Sequence, residues 1–215
     1  MEIDIKLKGV EEALKTYSHE VVLRAATRTL NKVAAQTLTQ IKRYISSRYN
    51  IKGGRLSKLV YLGNRATFGN LRVGITGLAA GIALADFSPK QAGKVYFRIA
   101  KGERGIRSKK GFSGRAGDVT VEVKKGSRKT VSPVGRFRPF VAQMPSGHIG
   151  VFVRTGKKMT REGHGRKDAI EQLFGPGVAG LMQTRHMRHE IEEKFIPAKL
   201  KEVFERELQW YGGKK

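Results

Sequence analysis

Residues 119–154 read VTVEVKKGSRKTVSPVGRFRPFVAQMPSGHIGVFVR, and this pattern predicts the centre of an antiparallel sheet. Val119, Val121 and Val123 alternate with Thr120, Glu122 and Lys124, the two-residue period of a strand with one buried and one wet face. A basic turn follows. Residues 140–144 and 149–154 then flank Pro145, Ser146, Gly147 and His148, a connection whose Pro and Gly suit a tight reversal, so a β-hairpin is expected. Ile149, Val151 and Val153 fall on one face and Phe152 and Arg154 on the other, so only one register buries the aliphatic row.

Towards the N-terminus, Ile3, Ile5 and Leu7 alternate with Glu2, Asp4 and Lys6, a short strand suited to the edge of that sheet. From Val10 the apolar spacing becomes helical, through Leu14, Tyr17 and Val21 and on through Val22, Ala26, Leu30, Ala34, Leu38, Ile41 and Ile45. No Pro or Gly interrupts residues 10–50, which predicts one helix, or two meeting near residues 17–20. A helix over residues 20–49 would be roughly 45 Å long. Opposite its apolar stripe lie Arg24, Arg28 and Lys32, candidate contacts to a neighbouring subunit. Gly53 and Gly54 end the rod, and residues 55–62 suit one or two further turns. Strand patterns recur at Leu71–Val73–Ile75, over residues 82–87, and at Val95–Phe97–Ile99.

Residues 101–117, KGERGIRSKKGFSGRAG, carry five Gly and no apolar period, and predict a loop or arm. Arg104, Arg107, Lys109, Lys110 and Arg115 surround Phe112, a mixture suited to phosphate contact with an aromatic anchor. Residues 154–167 form a second expected basic loop holding Lys157, Lys158, Arg161 and Arg166. Asp168 would cap a short helix ended by Leu173, Phe174, Gly175 and Pro176, with Phe174 buried as a plug and Pro176 fixing the exit. A last helix is expected over residues 183–211, kinked or divided at Pro197. It holds Glu190, Glu192, Glu193, Glu202, Glu205 and Glu207, and could pair with the basic helix of its own chain or of an adjacent one.

The chain as a whole carries 43 Lys and Arg against 18 Asp and Glu, a net charge of +25 in 215 residues. Both ends are close to neutral: the first twenty residues sum to −2, residues 21–117 to +18, residues 118–170 to +8 and the remainder to +1. Such a field attracts a polyanion or the acidic surfaces of partner subunits. Cys is absent, so neither disulfides nor thiolate metal sites enter, and no apolar run reaches the roughly 20 residues of a membrane span. There is no phosphate-loop GKS or GKT, no GxSxG elbow and no paired-carboxylate signature. Asp86 and Glu103 are the only acidic residues over 21–117, too few for a metal-dependent nuclease there. His186 and His189 beside Glu190 lack further ligands for a metal. The expectation is a protein that is not an enzyme and has no cofactor.

The succession VEVKKGSRKTV, then PFVAQMPSGHIGVFVRTGK, then IEQLFGPGVAGLM resembles the minor tail protein Z family, the tail-completion proteins of lambda-like bacteriophages. The likeness is densest over residues 119–182, and RYNIKGGRLSK and IALADFSPKQ resemble the family more loosely. The resemblance implies a single tail-completion domain of α+β class: residues 1–50 a strand and long helix packed on an antiparallel sheet, 51–155 the sheet with its basic arm, 156–215 a basic loop and C-terminal helices. It further implies a virion protein, made in the host cytoplasm, that joins tail to head as a ring, with a hexamer the first expectation. Its partners would be the tail terminator and neck or connector proteins; the charge map, and not the resemblance, adds the end of the packaged DNA or acidic protein surfaces, which Arg104, Arg107, Lys109, Lys110, Arg115, Lys157, Lys158 and Arg161 would face. Phe174 and Pro176 join Arg24, Arg28 and Lys32 as candidate subunit contacts. The alternative is a free, sequence-independent nucleic-acid-binding protein, which predicts salt-sensitive duplex binding by the isolated chain.

Overall fold

The structure is a computed structural model describing residues 2–7, 10–51, 53–96, 106–108, 117–161 and 164–213, with side chains described outside 95–96, 106–108, 158–161 and 164–168. It is a mixed α+β protein with a long N-terminal helix, several antiparallel sheets and a C-terminal helix. Two compact units partition the chain: Met1–Ser46 with Lys52–Ala80 and Gly177–Lys215, and Ser47–Ile51 with Gly81–Pro176.

In the first unit, strand β1 (Glu2–Lys6) leads to α1 (Val10–Leu14) and α2 (His19–Arg48), the break falling at residues 15–18 as the two-helix reading expects. Helix α3 (Gly53–Leu59), β2 (Val60–Leu62) and β3 (Arg72–Gly77) follow, and the unit closes with α4 (Val178–Met182), α5 (Arg185–Arg188), a π-helical segment (His189–Phe195) and α6 (Ile196–Gly212). The sheet order is β1-β3-β2, all antiparallel, with Ile3 opposite Ile75 and Ile5 opposite Val73. All four are buried while Glu2, Asp4 and Lys6 are exposed, the one-sided burial that alternation dictates.

Helix α2 buries Val22, Ala25, Ala26, Thr29, Leu30, Val33, Ala34, Thr37 and Ile41, at helical spacings of three and four. Its N-terminal half packs with Phe204 and Leu208 of α6, and Leu7 and Leu71, beside β1 and β3, pack on the same cluster. The Asn31 amide holds the loop before β3 from both sides, donating to the Ala66 carbonyl at 3.0 Å and accepting from the Ala66 N–H at 3.1 Å.

A buried carboxylate ties α6 to α2. Glu207, 4% exposed, accepts from Lys32 Nζ at 2.5 Å and faces Arg28 Nε at 3.3 Å, while Arg28 also donates to the Tyr211 hydroxyl at 3.2 Å. Arg24 pairs instead with Glu20 on its own helix. On the outer side of the C-terminal helices, a hydrogen bond from His189 holds the Glu193 carboxyl below its usual range, and one from Lys199 does so for Glu202. Pro197 neither breaks nor divides this rod: helical backbone continues from Arg185 to Gly212. The accommodation is a register change, in which the Ile196 N–H reaches the Ile191 carbonyl five residues back just before the proline that has no N–H to give.

The second unit is built of short strands: β4 (Gly81–Ala83), a 3-10 turn (Leu84–Phe87), β5 (Lys90–Gln91), β6 (Lys94–Tyr96), β7 (Ile106–Ser108), β8 (Val119–Lys124), β9 (Ser127–Thr130), β10 (Phe140–Gln143), β11 (Ile149–Arg161), β12 (His164–Gln172) and β13 (Phe174–Gly177). Residues 119–154 therefore do not form the middle of one sheet. They supply β8 and β9 to a β5-β8-β9 sheet and β10 and β11 to a β10-β11-β12 sheet. The expected hairpin is present, with Phe140 opposite Phe152 and Val141 opposite Val151. Phe152 is buried along with Val151 and Val153, so both faces of β11 are covered here.

Two further expectations are corrected. Residues 154–161 and 164–167 are strand and not a basic loop, and Asp168 caps no helix: β11 and β12 pair through Phe152–Gln172, Val153–Glu171 and Arg154–Ile170 and resume at Lys158–Asp168. KDAIEQ has helix-forming composition, but the ladder already begun by β11 templates it as a strand, since tertiary pairing overrides weak local propensity. Phe174 is 58% exposed, and the buried ring is Phe87, at 0%. Gly175 lies against it, and a Cβ there would come within 2.8 Å of the Phe87 ring.

The hydroxyls of Thr29 and Thr37, both fully buried on α2, have no hydrogen-bond partner among the described residues. Replacing Thr29→Val or Thr37→Val should raise stability by about 1 kcal/mol in urea denaturation, because an unsatisfied buried hydroxyl carries its full desolvation cost. The Glu207 clasp should be asymmetric. Glu207→Gln leaves only half-exposed cations and should cost about 1 kcal/mol, whereas Arg28→Met with Lys32→Met strands a buried carboxylate and should cost about 3 kcal/mol. Equal losses in denaturant midpoints would contradict this reading.

Candidate functional site

Beyond Phe152, β11 has left its partner β10 and continues with β12 alone, so residues 153–161 and 164–171 make a two-stranded ribbon. The ribbon bends at a bulge between Arg154 and Lys158. Gly156 sits in that bulge at φ +76°, where an L side chain would be strained, and a Cβ there would meet the Phe137 ring at 3.1 Å. Thr155 stitches the bend by donating to the Ala169 carbonyl at 3.2 Å. Distal to the bulge the sequence places Lys157, Lys158, Arg161, Arg166 and Lys167 against Glu162 and Asp168. The ribbon thus gathers three sequence-predicted contacts, Lys157, Lys158 and Arg161, on one strand, with Lys157 exposed.

The rest of the unit anchors this ribbon. The outer edge of β10 would leave backbone groups unmatched, and two side chains cover it. The buried Gln91 amide accepts from the Val141 N–H at 3.1 Å and donates to the Gly117 carbonyl at 2.8 Å, while Lys94 Nζ donates to the Val141 carbonyl at 2.8 Å. Gln91 belongs to β5, paired to β8, so it links the two three-stranded sheets. Burial lowers the Lys94 amine below its ordinary value. Next to the ribbon root, the Phe140 and Phe152 rings lie 6.2 Å apart, the His148 ring meets Phe152 edge-on at 6.4 Å, and the Arg154 guanidinium lies 5.5 Å from the Phe140 ring centre. Arg136 lies 5.1 Å from the Phe137 ring centre. On the β8–β9 hairpin, Arg128 pairs with Glu122 at 3.1 Å and Lys124, Lys125 and Lys129 are exposed.

None of the remaining described candidates lies on this ribbon. Arg107 falls on β7, opposite Val95 of β6, and Arg104, Lys109, Lys110 and Arg115 lie outside the described residues, as does most of the expected 101–117 arm. Arg28 and Lys32 are engaged by Glu207 of their own chain, and Arg24 by Glu20. Phe174 and Pro176 are exposed on β13, which pairs with β4. The second unit holds 22 Lys and Arg against 7 Asp and Glu, a charge of +15 of the total +25. Gln91, Lys94 and Phe137 were not legible as anchors. Gln91 ends the phrase IALADFSPKQ, but nothing local marks its partners, which lie 26 and 50 residues away.

Among the described residues no group of three His, Asp or Glu side chains converges as a metal would require, and His189 Nδ1 lies 2.8 Å from the Glu193 carboxylate. No helix among them is long and apolar enough to cross a membrane. Comparison with protein-family models, with curated proteins and with solved structures finds no match to this chain.

Gln91→Leu should cost about 2 kcal/mol in denaturant unfolding, since it orphans both a buried N–H and a carbonyl. Lys94 should titrate below the ordinary lysine value when its Nζ is followed by NMR. The folded state sheds this proton before the unfolded chain does, so unfolding free energy should rise with pH in the window below 10.5, and Lys94→Met should flatten the rise.

Proposed function

We propose that this chain is a structural virion protein of a long-tailed bacteriophage, without catalytic activity, that completes the tail and joins it to the head at the neck. It would act as a ring on the terminator end of the tail tube, against terminator and connector proteins. The observation that carries the reading is the basic β11–β12 ribbon, which lies inside the stretch whose ordered phrases resemble the minor tail protein Z family. A two-stranded ribbon is marginally stable by itself, so a strand pair with exposed charge is suited to ordering against another surface. The ribbon and the β8–β9 turn would face acidic protein or the end of the packaged DNA, together with Arg104, Arg107, Lys109, Lys110 and Arg115.

The ribbon also favours a second reading, a free nucleic-acid-binding protein, because a two-stranded ribbon fits the major groove of a duplex. Salt separates the two. A free binder holds duplex tightly as an isolated monomer and loses it steeply between low and physiological salt.

In-vitro complementation tests the first reading: heads and tails assembled without this chain should remain unjoined, and purified protein should restore infectious particles. Complete and infectious particles formed in its absence would overturn it. Charge reversal at Arg107, Lys109 and Lys110 together should reduce restored infectivity at least tenfold, and undiminished titres would remove those residues from the contact.

A further inference from the structure

One cleft in the first unit remains unexplained by the basic surfaces. It measures about 1080 Å³ and lies between β1 and the helices that end in α6. Residues 2–7 all line it, odd and even alike, so the cleft meets β1 along its edge and not along one face. Among the described residues β1 pairs only with β3, and no described strand lies on its other edge. Behind the edge the walls are apolar, from Ile3 and Ile5 to Ile196, Leu200, Phe204 and Leu208. Around them the charge is inverted relative to the chain. Glu2, Asp4, Glu12, Glu192 and Glu205 outnumber Lys6, Arg188 and Lys201, a net −2 in a protein of net +25. Asp4 is paired with Arg72, and Glu192 with Arg188.

We infer that this cleft receives the β11–β12 ribbon of a second copy of the chain, the free edge of β12 pairing with the free edge of β1. Three observations meet in that contact. Among the described residues β12 pairs only with β11, so it too presents an open edge, nine residues long against the five of β1. The sequence over residues 157–168 holds five basic and two acidic residues, complementary to the acidic lining. Strand addition supplies main-chain hydrogen bonds while charge sets which edges meet, and it relieves two open edges that would otherwise invite indiscriminate pairing. The contact joins two different surfaces, and such a head-to-tail union gives a ring where its rotation closes and an open filament where it does not. The inference deepens the proposed assembly role and rests on it for ring closure. Its test uses purified protein alone, so failure here and failure of complementation are separate results.

Two variants isolate the two surfaces: Glu12→Lys with Glu205→Lys in the cleft, and Lys157→Glu with Lys167→Glu in the ribbon. Circular dichroism melts confirm that each is folded before sedimentation velocity is run. Wild-type protein should self-associate, and each variant alone should sediment as a monomer. Their mixture should stop at one-to-one dimers, because one intact ribbon meets one intact cleft and no further surface remains. Since the chain has no Cys, Asp4→Cys in one variant and Arg166→Cys or Lys167→Cys in the other should form a disulfide across that dimer on mild oxidation. A monomeric wild type, variants that assemble like wild type, or a mixture without dimers would each overturn the inference. The last result would assign the cleft to another occupant, such as a small apolar molecule or a different protein.

Discussion

The carboxylate of Glu207 governs much of what this molecule offers to a partner. Buried on α6, it takes Arg28 and Lys32 out of the stripe that α2 would otherwise present, and sets α6 against α2 where Phe204 and Leu208 close the core. A buried carboxylate carries a large desolvation cost, which paired cations in good geometry offset. The clasp specifies how the rods sit more than it adds stability. Held there, α6 also forms a wall of the cleft beside β1, lined by Ile196, Leu200 and Phe204.

The second unit solves a different problem. Short strands in small sheets expose many edges, and the chain treats those edges unequally. At β10 the edge groups of Val141 are satisfied by Gln91 and Lys94, at the cost of holding a lysine amine partly out of water. Among the described residues no strand pairs with the outer edge of β12, and the sequence of the ribbon is rich in basic residues. Covered edges build the unit, while an open and charged edge is available for assembly.

Legibility followed the range of the interactions. Alternation identified β8 and the β10–β11 hairpin because strand period and turn residues are local, and uninterrupted helical spacing identified the rods. The ribbon was misread as loop and helix because KDAIEQ suits a helix by itself and only the ladder from Phe152 onward makes it a strand. Phe174 looked buried because hydrophobic plugs usually are; the ring that fills the space, Phe87, lies almost ninety residues earlier in the chain. The pairing of Glu207 with Arg28 and Lys32 spans 175 residues or more, beyond any periodicity, although the acidic count of the last helix hinted that it had a basic partner. Of the candidate contacts, Lys157, Lys158 and Arg161 share one strand, while Arg28 and Lys32, chosen by helical spacing, are engaged by Glu207 of their own chain.

The central claim is that this chain is an assembly component whose ribbons order against neighbours at the head-proximal end of a phage tail. Cryo-EM reconstruction of the neck of purified particles tests it most directly. The account predicts density for this fold as a closed ring between the tail tube and the connector, with each ribbon seated on an adjacent protein surface. A neck fully explained by other chains, with this protein absent from the particle, would contradict it.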